Sequence, residues 1–132
     1  MSGRSQKPED NQKYRENCGD ILGISPKIRY AGITNKFGRT LAGRLRQGVI
    51  PLLKPDEARN EYFIEATRNE LRRSFENSIG PTEYTITENG KVKILTVPSG
   101  NIFYYITLDK DTTPAEVSKI VDSVRKLVRQ TG

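Results

Sequence analysis

Apolar and polar positions recur with two different periods along this chain, and each change of period predicts the start of another element. From Glu9 onward, apolar residues follow helical spacing at Tyr14, Cys18, Ile21 and Leu22. A longer stripe of the same kind closes the chain, at Val117, Ile120, Val121, Val124, Leu127 and Val128. Because positions i, i+3, i+4 and i+7 share one helix face, both stretches are predicted to be helices that bury that face.

A third helix is predicted for residues 55–77, near the middle of the chain. Proline suits the first turn of a helix, as at Pro55, and Asp56 and Glu57 favour the positive end of the helix dipole. Gly80 and Pro81 end it. Its predicted buried stripe is narrow and partly polar, with Phe63, Ala66, Thr67, Leu71, Ser74 and Phe75. This pattern is typical of a helix that covers a sheet without being enclosed.

Five segments bounded by turn residues predict strands, at residues 27–34, 39–43, 83–88, 91–97 and 102–108. Asn89 and Gly90 predict a type I′ hairpin turn, which needs a positive φ at both central residues. Residues 99–101 predict a second tight turn. The almost wholly apolar segment 102–108 indicates a central strand covered on both faces. Gly32 either weakens the first strand or marks a close backbone approach.

The predicted order is α-β-β-α-β-β-β-α, which indicates an α/β (α+β) fold with a single five-stranded antiparallel sheet and helices on its faces. The length of 132 residues fits one domain. We assign residues 9–132 to it and residues 1–8 to a disordered tail, because the tail lacks periodicity. Thr113 and Glu116 have the spacing of a capping box, with Pro114 at the first position of the last helix.

This order resembles that of roadblock/LC7 domains, whose fold is shared with longin and profilin-like domains. Residues 28–38, IRYAGITNKFG, are similar to the opening hairpin of roadblock domains and to archaeal proteins of this size. The resemblance covers about residues 9–130. It implies a non-enzymatic, commonly homodimeric module whose sheets join edge to edge, acting as a scaffold, a small-GTPase regulator or a motor-complex light chain. A PAS domain fits less well, because it places more short helices between the second and third strands.

The chain has no histidine and one cysteine, Cys18. Histidine is the commonest general base near neutral pH and the commonest metal ligand, so histidine-dependent catalysis and histidine zinc sites are excluded. Carboxylate and lysine chemistry remain possible, but neither shows a motif, and we expect no enzyme activity, no cofactor and no metal. Cys18 lies on an apolar helix stripe and is expected to be a buried structural thiol. A single cysteine suits the cytoplasm, and no segment approaches the roughly 20 apolar residues of a membrane helix.

Charge is distributed unevenly along the chain. Between Asp20 and Asp56 there is no carboxylate but seven basic residues, which exceed the net charge of +6. We predict a basic binding surface from five of them, Lys27, Arg29, Arg39, Arg44 and Arg46. Such a surface attracts nucleic acid, anionic lipid or an acidic protein face, and Tyr30 and Phe37 could stack on bases if exposed. Alternatively, these charges are merely solvated or protect an edge strand.

Three hypotheses for function follow from these patterns. The first is a homodimeric interaction or regulatory module with a protein partner of the small-GTPase class, pairing through an edge at Tyr84, Thr85 and Ile86. The second is polyanion binding through the basic surface, which we rank below a protein partner. The third is a small-ligand sensor with a pocket between sheet and helix, lined by Tyr62, Tyr104 or Tyr105.

Overall fold

Along the described residues, the elements follow the predicted order, with one short helix added. The computed structural model describes the backbone of residues 8–131 and the side chains of residues 10–130. The predicted tail therefore lies outside the described residues except for Pro8, which begins the first helix. The helices are α1 (Pro8–Leu22), α2 (Pro55–Arg73), α3 (Glu76–Ile79) and α4 (Pro114–Thr131). The strands are β1 (Ile28–Asn35), β2 (Thr40–Leu45), β3 (Thr85–Glu88), β4 (Val92–Ser99) and β5 (Ile102–Asp109).

The strands form one antiparallel sheet in the order β2-β1-β5-β4-β3. Strand β5 is central, as predicted, and its residues 103–106 are all buried. Helices α1 and α4 cover one face, where Cys18 and Ile21 pack with Ile106 and Val124. Helix α2 covers the other face through a smaller cluster that includes Ala66 and Tyr105. Strands β2 and β3 are left at the two edges.

Gly32 lies where another group approaches the backbone closely, which was one of the two interpretations of a glycine inside the first strand. It pairs with Gly43 across β1 and β2, and the ring of Tyr30 lies over both glycines. A Cβ atom on Gly32 would lie 2.5 Å from the Tyr30 hydroxyl oxygen. Glycine at both positions therefore makes room for an aromatic ring between the sheet and α2.

The long middle helix ends earlier than predicted, at Arg73 rather than residue 77. The backbone N–H and the hydroxyl of Ser74 both donate to the Leu71 carbonyl, at 3.2 and 2.7 Å. Phe75 N–H donates to the Arg72 carbonyl at 3.0 Å. These i to i−3 bonds tighten the last turn and separate α2 from the one-turn helix α3.

The predicted buried stripe of α2 is largely wrong. Of its six residues only Ala66 is buried, and Phe63, Leu71 and Phe75 are more than half exposed. The helix is rotated so that Tyr62 faces the sheet, where its ring meets that of Tyr105 edge to face at 5.0 Å. Most of the apolar residues of α2 therefore point away from the protein.

The hairpin predicted between β3 and β4 forms, but its turn is not type I′. Asn89 N–H donates to the Val92 carbonyl at 3.0 Å, which makes Gly90 and Lys91 the two loop residues. Neither Asn89 nor Gly90 has a positive φ. The second predicted turn is confirmed, with Gly100 at φ +63° between β4 and β5.

Candidate functional site

The outward face of α2 is an apolar surface. Four large side chains contribute most of it, Phe63, Ile64, Leu71 and Phe75, which are 63, 51, 64 and 51% exposed. Thr67 lies between them, and Arg68 and Arg72 border the same shallow depression. A contiguous exposed apolar surface of this kind marks an interaction site in a soluble protein.

Strand β3, which contains two of the three predicted edge residues, is an open edge of the sheet in the part of the chain that the structure describes. Tyr84 immediately precedes the strand, and Thr85 and Ile86 begin it. Bonded and non-bonded pairs alternate along an antiparallel ladder. Because Asn89 and Val92 form a bonded pair, the backbone N–H and C=O groups of Ile86 and Glu88 point away from β4.

A cavity of about 630 Å³ lies between α2, the loop that precedes it and the β3–β4 hairpin. Tyr62 and Tyr105, two of the three tyrosines predicted for a ligand pocket, line it. Tyr104 does not, because it packs in the core on the other face of the sheet. There its hydroxyl accepts a hydrogen bond from the Asn17 side chain at 3.4 Å.

Hydrogen bonds hold the tyrosines of this cavity in place. The Tyr105 hydroxyl donates to Glu61 at 2.8 Å, and the hydroxyls of Tyr30 and Tyr62 share a hydrogen bond. Burial raises the pKa of all three phenols, which stay neutral at physiological pH.

Glu65 lies buried in the cavity wall, and its Oε1 atom has no hydrogen-bond donor among the described residues. Burial raises the pKa of this carboxyl group, and Arg68, 3.9 Å from Oε2, opposes that rise.

Two residues of the predicted basic surface are paired with carboxylates at the surface of the protein. The Lys27 ammonium lies 3.1 Å from Asp111, and the Arg29 guanidinium lies 3.4 Å from Asp109. Arg29 also donates to the Ile50 carbonyl at 2.9 Å. Both pairs connect the start of β1, or the residue before it, with the end of β5 or the turn after it, so Lys27 and Arg29 each have a carboxylate partner.

Arg46 has a structural contact that its sequence context did not reveal. Its guanidinium donates to the carbonyls of Ile28 at 2.6 Å and Ser25 at 2.8 Å, and to that of Leu22. These bonds attach the end of α1 to the start of β1. In the sequence, Gly43 and Gly48 flank the segment that holds Arg44 and Arg46, and nothing in that pattern identified the three carbonyl partners.

Arg39 and Arg44 keep their charges free. Both are exposed, and within the described residues neither has a carboxylate within 4.0 Å. Phe37 is exposed at the hairpin tip, with the Lys36 ammonium 5.4 Å from its ring centre. Tyr30, in contrast, packs under α2 and is not available for stacking. The predicted basic surface thus divides into internal contacts and two unpaired arginines.

The described residues contain no group of three or more Cys, Asp or Glu side chains arranged to hold a metal ion. None of the helices within residues 8–131 combines the length and hydrophobicity needed to cross a bilayer.

Solved structures share this fold at low sequence identity. A Roadblock/LC7 domain from Streptomyces avermitilis superposes with a TM-score of 0.64 at 13% identity, over 89% of this chain and 95% of that one. The gliding protein MglB from Thermus thermophilus gives 0.75 at 11% identity, over 98% and 96%. Profilin II of Acanthamoeba castellanii gives 0.60 at 11% identity, over 90% and 99%.

No protein family matches the chain in sequence, and no curated protein does so either. The relationship therefore rests on three-dimensional structure. The resemblance expected from the element order is confirmed at that level: the chain has the roadblock/LC7-like fold, which profilins share.

Proposed function

We propose that this chain is a non-enzymatic interaction module that acts as a homodimer. The observation that carries the proposal is the exposed apolar face of α2, on the helix that flanks the open edge β3. Arg68 of α2 and Thr87 of β3 line one cavity, so the helix and the edge border the same region of the surface. A second copy related by a two-fold axis would cover both at once, since each copy offers the same patch to the other.

The chemistry of the two features supports self-association. Each Å² of apolar surface removed from water stabilises the associated state by roughly 25 cal/mol. The apolar face of α2 offers such surface through four exposed side chains, Phe63, Ile64, Leu71 and Phe75. The outward backbone groups of Ile86 and Glu88 gain hydrogen-bond partners if two β3 strands pair. Tyr84, Thr85 and Ile86 remain the proposed pairing residues.

The resemblance to roadblock domains also suggests which kind of partner the dimer would bind. We infer that the dimer acts as a small-GTPase-associated scaffold or regulator, as the resemblance to roadblock domains implies. Calorimetric titration with purified small GTPases of the same cell, loaded with GDP or a GTP analogue, tests this part. We expect binding of at least one GTPase in one nucleotide state, and no binding to any of them would contradict the role.

Sedimentation velocity of charge variants tests the dimer. Leu71→Glu places a carboxylate in the apolar face and should convert dimer to monomer without unfolding, because Leu71 is already exposed. Ile50→Glu is the matched control, since Ile50 is 80% exposed on the loop before α2. It should sediment as the unsubstituted protein does. A monomeric unsubstituted protein, or equal dimerisation of both variants, would exclude this interface.

A second candidate function, small-ligand sensing, is supported by the 630 Å³ cavity alone. Its volume lies within the range of ligand pockets, roughly 300–1,000 Å³. In a thermal-shift screen, at least one metabolite should then raise the melting temperature. Tyr62→Ala should reduce that rise, and Tyr84→Ala should leave it unchanged. A flat screen would count against this function.

A further inference from the structure

Strand β2 is the second open edge of the sheet. Among the described residues it pairs only with β1. Arg46 N–H donates to the Arg29 carbonyl at 2.8 Å, and bonded and non-bonded pairs alternate along the ladder. The backbone N–H and C=O groups of Gly43 and Leu45 therefore point away from the sheet, and both residues are exposed.

The two faces of this edge differ in chemistry. Arg44 lies on the face covered by α1, and Arg15 of α1 shares with it a groove of about 370 Å³. Glu16 is the one acidic residue that lines this groove. Leu45 lies on the opposite face and borders the larger cavity together with the exposed Leu52 and Leu53. The edge thus offers positive charge on one face and apolar surface on the other.

We propose that the β2 edge binds an extended segment of a partner protein in which acidic and apolar residues alternate. The segment adds a strand to the sheet through the outward groups of Gly43 and Leu45. Side chains of an added strand alternate between faces. Its carboxylates therefore reach Arg44 and Arg15, while its apolar side chains contact Leu45.

The same observations disfavour two other occupants. A second copy of the chain carries the same arginine on this edge and so brings no carboxylate to Arg44, and like charges opposite each other across strands are destabilising. Nucleic acid lacks the peptide groups that would pair with the outward backbone, and Lys27, Arg29 and Arg46 already have partners in the fold. The inference is independent of the proposed dimer, because β3 lies at the opposite edge of the sheet.

Nuclear magnetic resonance of the labelled full chain tests the proposal. The probe is a blocked peptide that alternates glutamate and valine, and the control peptide has lysine in place of glutamate. We expect the amide signals of Gly43 and Leu45 to shift with the acidic peptide only. Arg44→Glu should reverse the preference and favour the lysine peptide.

A backbone variant separates strand addition from simple charge attraction. Leu45→Pro removes an outward N–H, which an edge strand tolerates, and Leu45→Ala keeps it. We expect the proline variant to lose at least about tenfold in affinity for the acidic peptide, and the alanine variant less than about threefold.

Three results would overturn the inference. The first is that the amide signals of Gly43 and Leu45 do not shift with the acidic peptide at millimolar concentration. The second is that the acidic and lysine peptides bind equally, or that the two Leu45 variants bind the acidic peptide with equal affinity. The third is a single-stranded oligonucleotide that shifts Arg39 and Arg44 while the peptide does not, which would assign the edge to polyanion binding.

Discussion

At the scale of single residues, Arg44 and Arg46 have different roles although they are two positions apart in one glycine-flanked motif. Arg44 is exposed and unpaired in the described part of the chain, whereas Arg46 donates to three backbone carbonyls. The sequence predicted both as one basic surface. It could not separate them, because the carbonyls that bind Arg46 come from the end of α1 and the start of β1 and become neighbours only in the folded protein.

This difference predicts opposite effects on stability. Arg46→Ala should lower the free energy of unfolding by about 2 kcal/mol, because carbonyls that it bonds lose a charged donor. Arg44→Ala should change it by less than about 0.5 kcal/mol. Urea denaturation measures both values. Equal effects of the two substitutions would contradict the structural role of Arg46.

The glycine pair beneath Tyr30 gives a second prediction. Gly32→Ala would drive a methyl group into the Tyr30 ring and should cost about 1–3 kcal/mol of stability. Gly90→Ala is the control, since a Cβ there meets no atom within 4 Å and its φ is not positive. A thermal melt should show a clear loss for Gly32→Ala alone. Comparable melting temperatures would contradict the packing.

Glu116 makes the stability depend on pH. The Thr113 backbone N–H donates to the Glu116 carboxylate at 2.8 Å, and this bond, with a second one to the Thr113 side chain, lowers the pKa of Glu116 below its usual value. A lowered pKa in the folded state gives stability that is present above the unfolded pKa and lost as the pH falls through the folded one. The stability advantage over Glu116→Gln should therefore shrink on acidification below about pH 4.5, the usual value. Denaturant melts across that range measure it, and a constant difference would contradict the cap.

At the scale of elements, both long helices occur where they were predicted, but the buried face was predicted correctly for α4 and wrongly for α2, for one physical reason. The apolar stripe of α4 packs on its own sheet, with Ile120, Val121, Val124 and Val128 buried. The apolar residues of α2 face outward instead. Periodicity detects an apolar face, but it does not tell whether that face meets the same chain or another surface.

Strand positions were predicted more closely than turn geometry. All five strands occur within a few residues of the predicted segments. Asn89 and Gly90 nevertheless do not form the type I′ turn, because the register places Asn89 opposite Val92. Glu88 pairs with Lys93 rather than with Lys91, and this pairing, decided along the whole ladder, moves the turn by one residue to Gly90 and Lys91.

At the scale of the whole molecule, the sheet order creates two open edges with different chemistry. The β3 edge has threonine and isoleucine near helix α2, and the β2 edge has Arg44, which has no carboxylate partner within the described part of the chain. The sequence indicated residues from both edges without showing that they were edges, because an edge exists only once the strands are ordered. The two proposals use different edges, with self-association at β3 and an acidic partner at β2.

Amide hydrogen exchange at β3 tests the proposed dimer most directly. The N–H groups of Ile86 and Glu88 point away from the sheet, whereas those of Thr85 and Thr87 face β4. If two β3 strands pair in the dimer, all four are protected at concentrations where the dimer forms, and Ile86 and Glu88 lose protection on dilution. Rapid exchange of Ile86 and Glu88 at every concentration, with Thr85 and Thr87 protected, would contradict it.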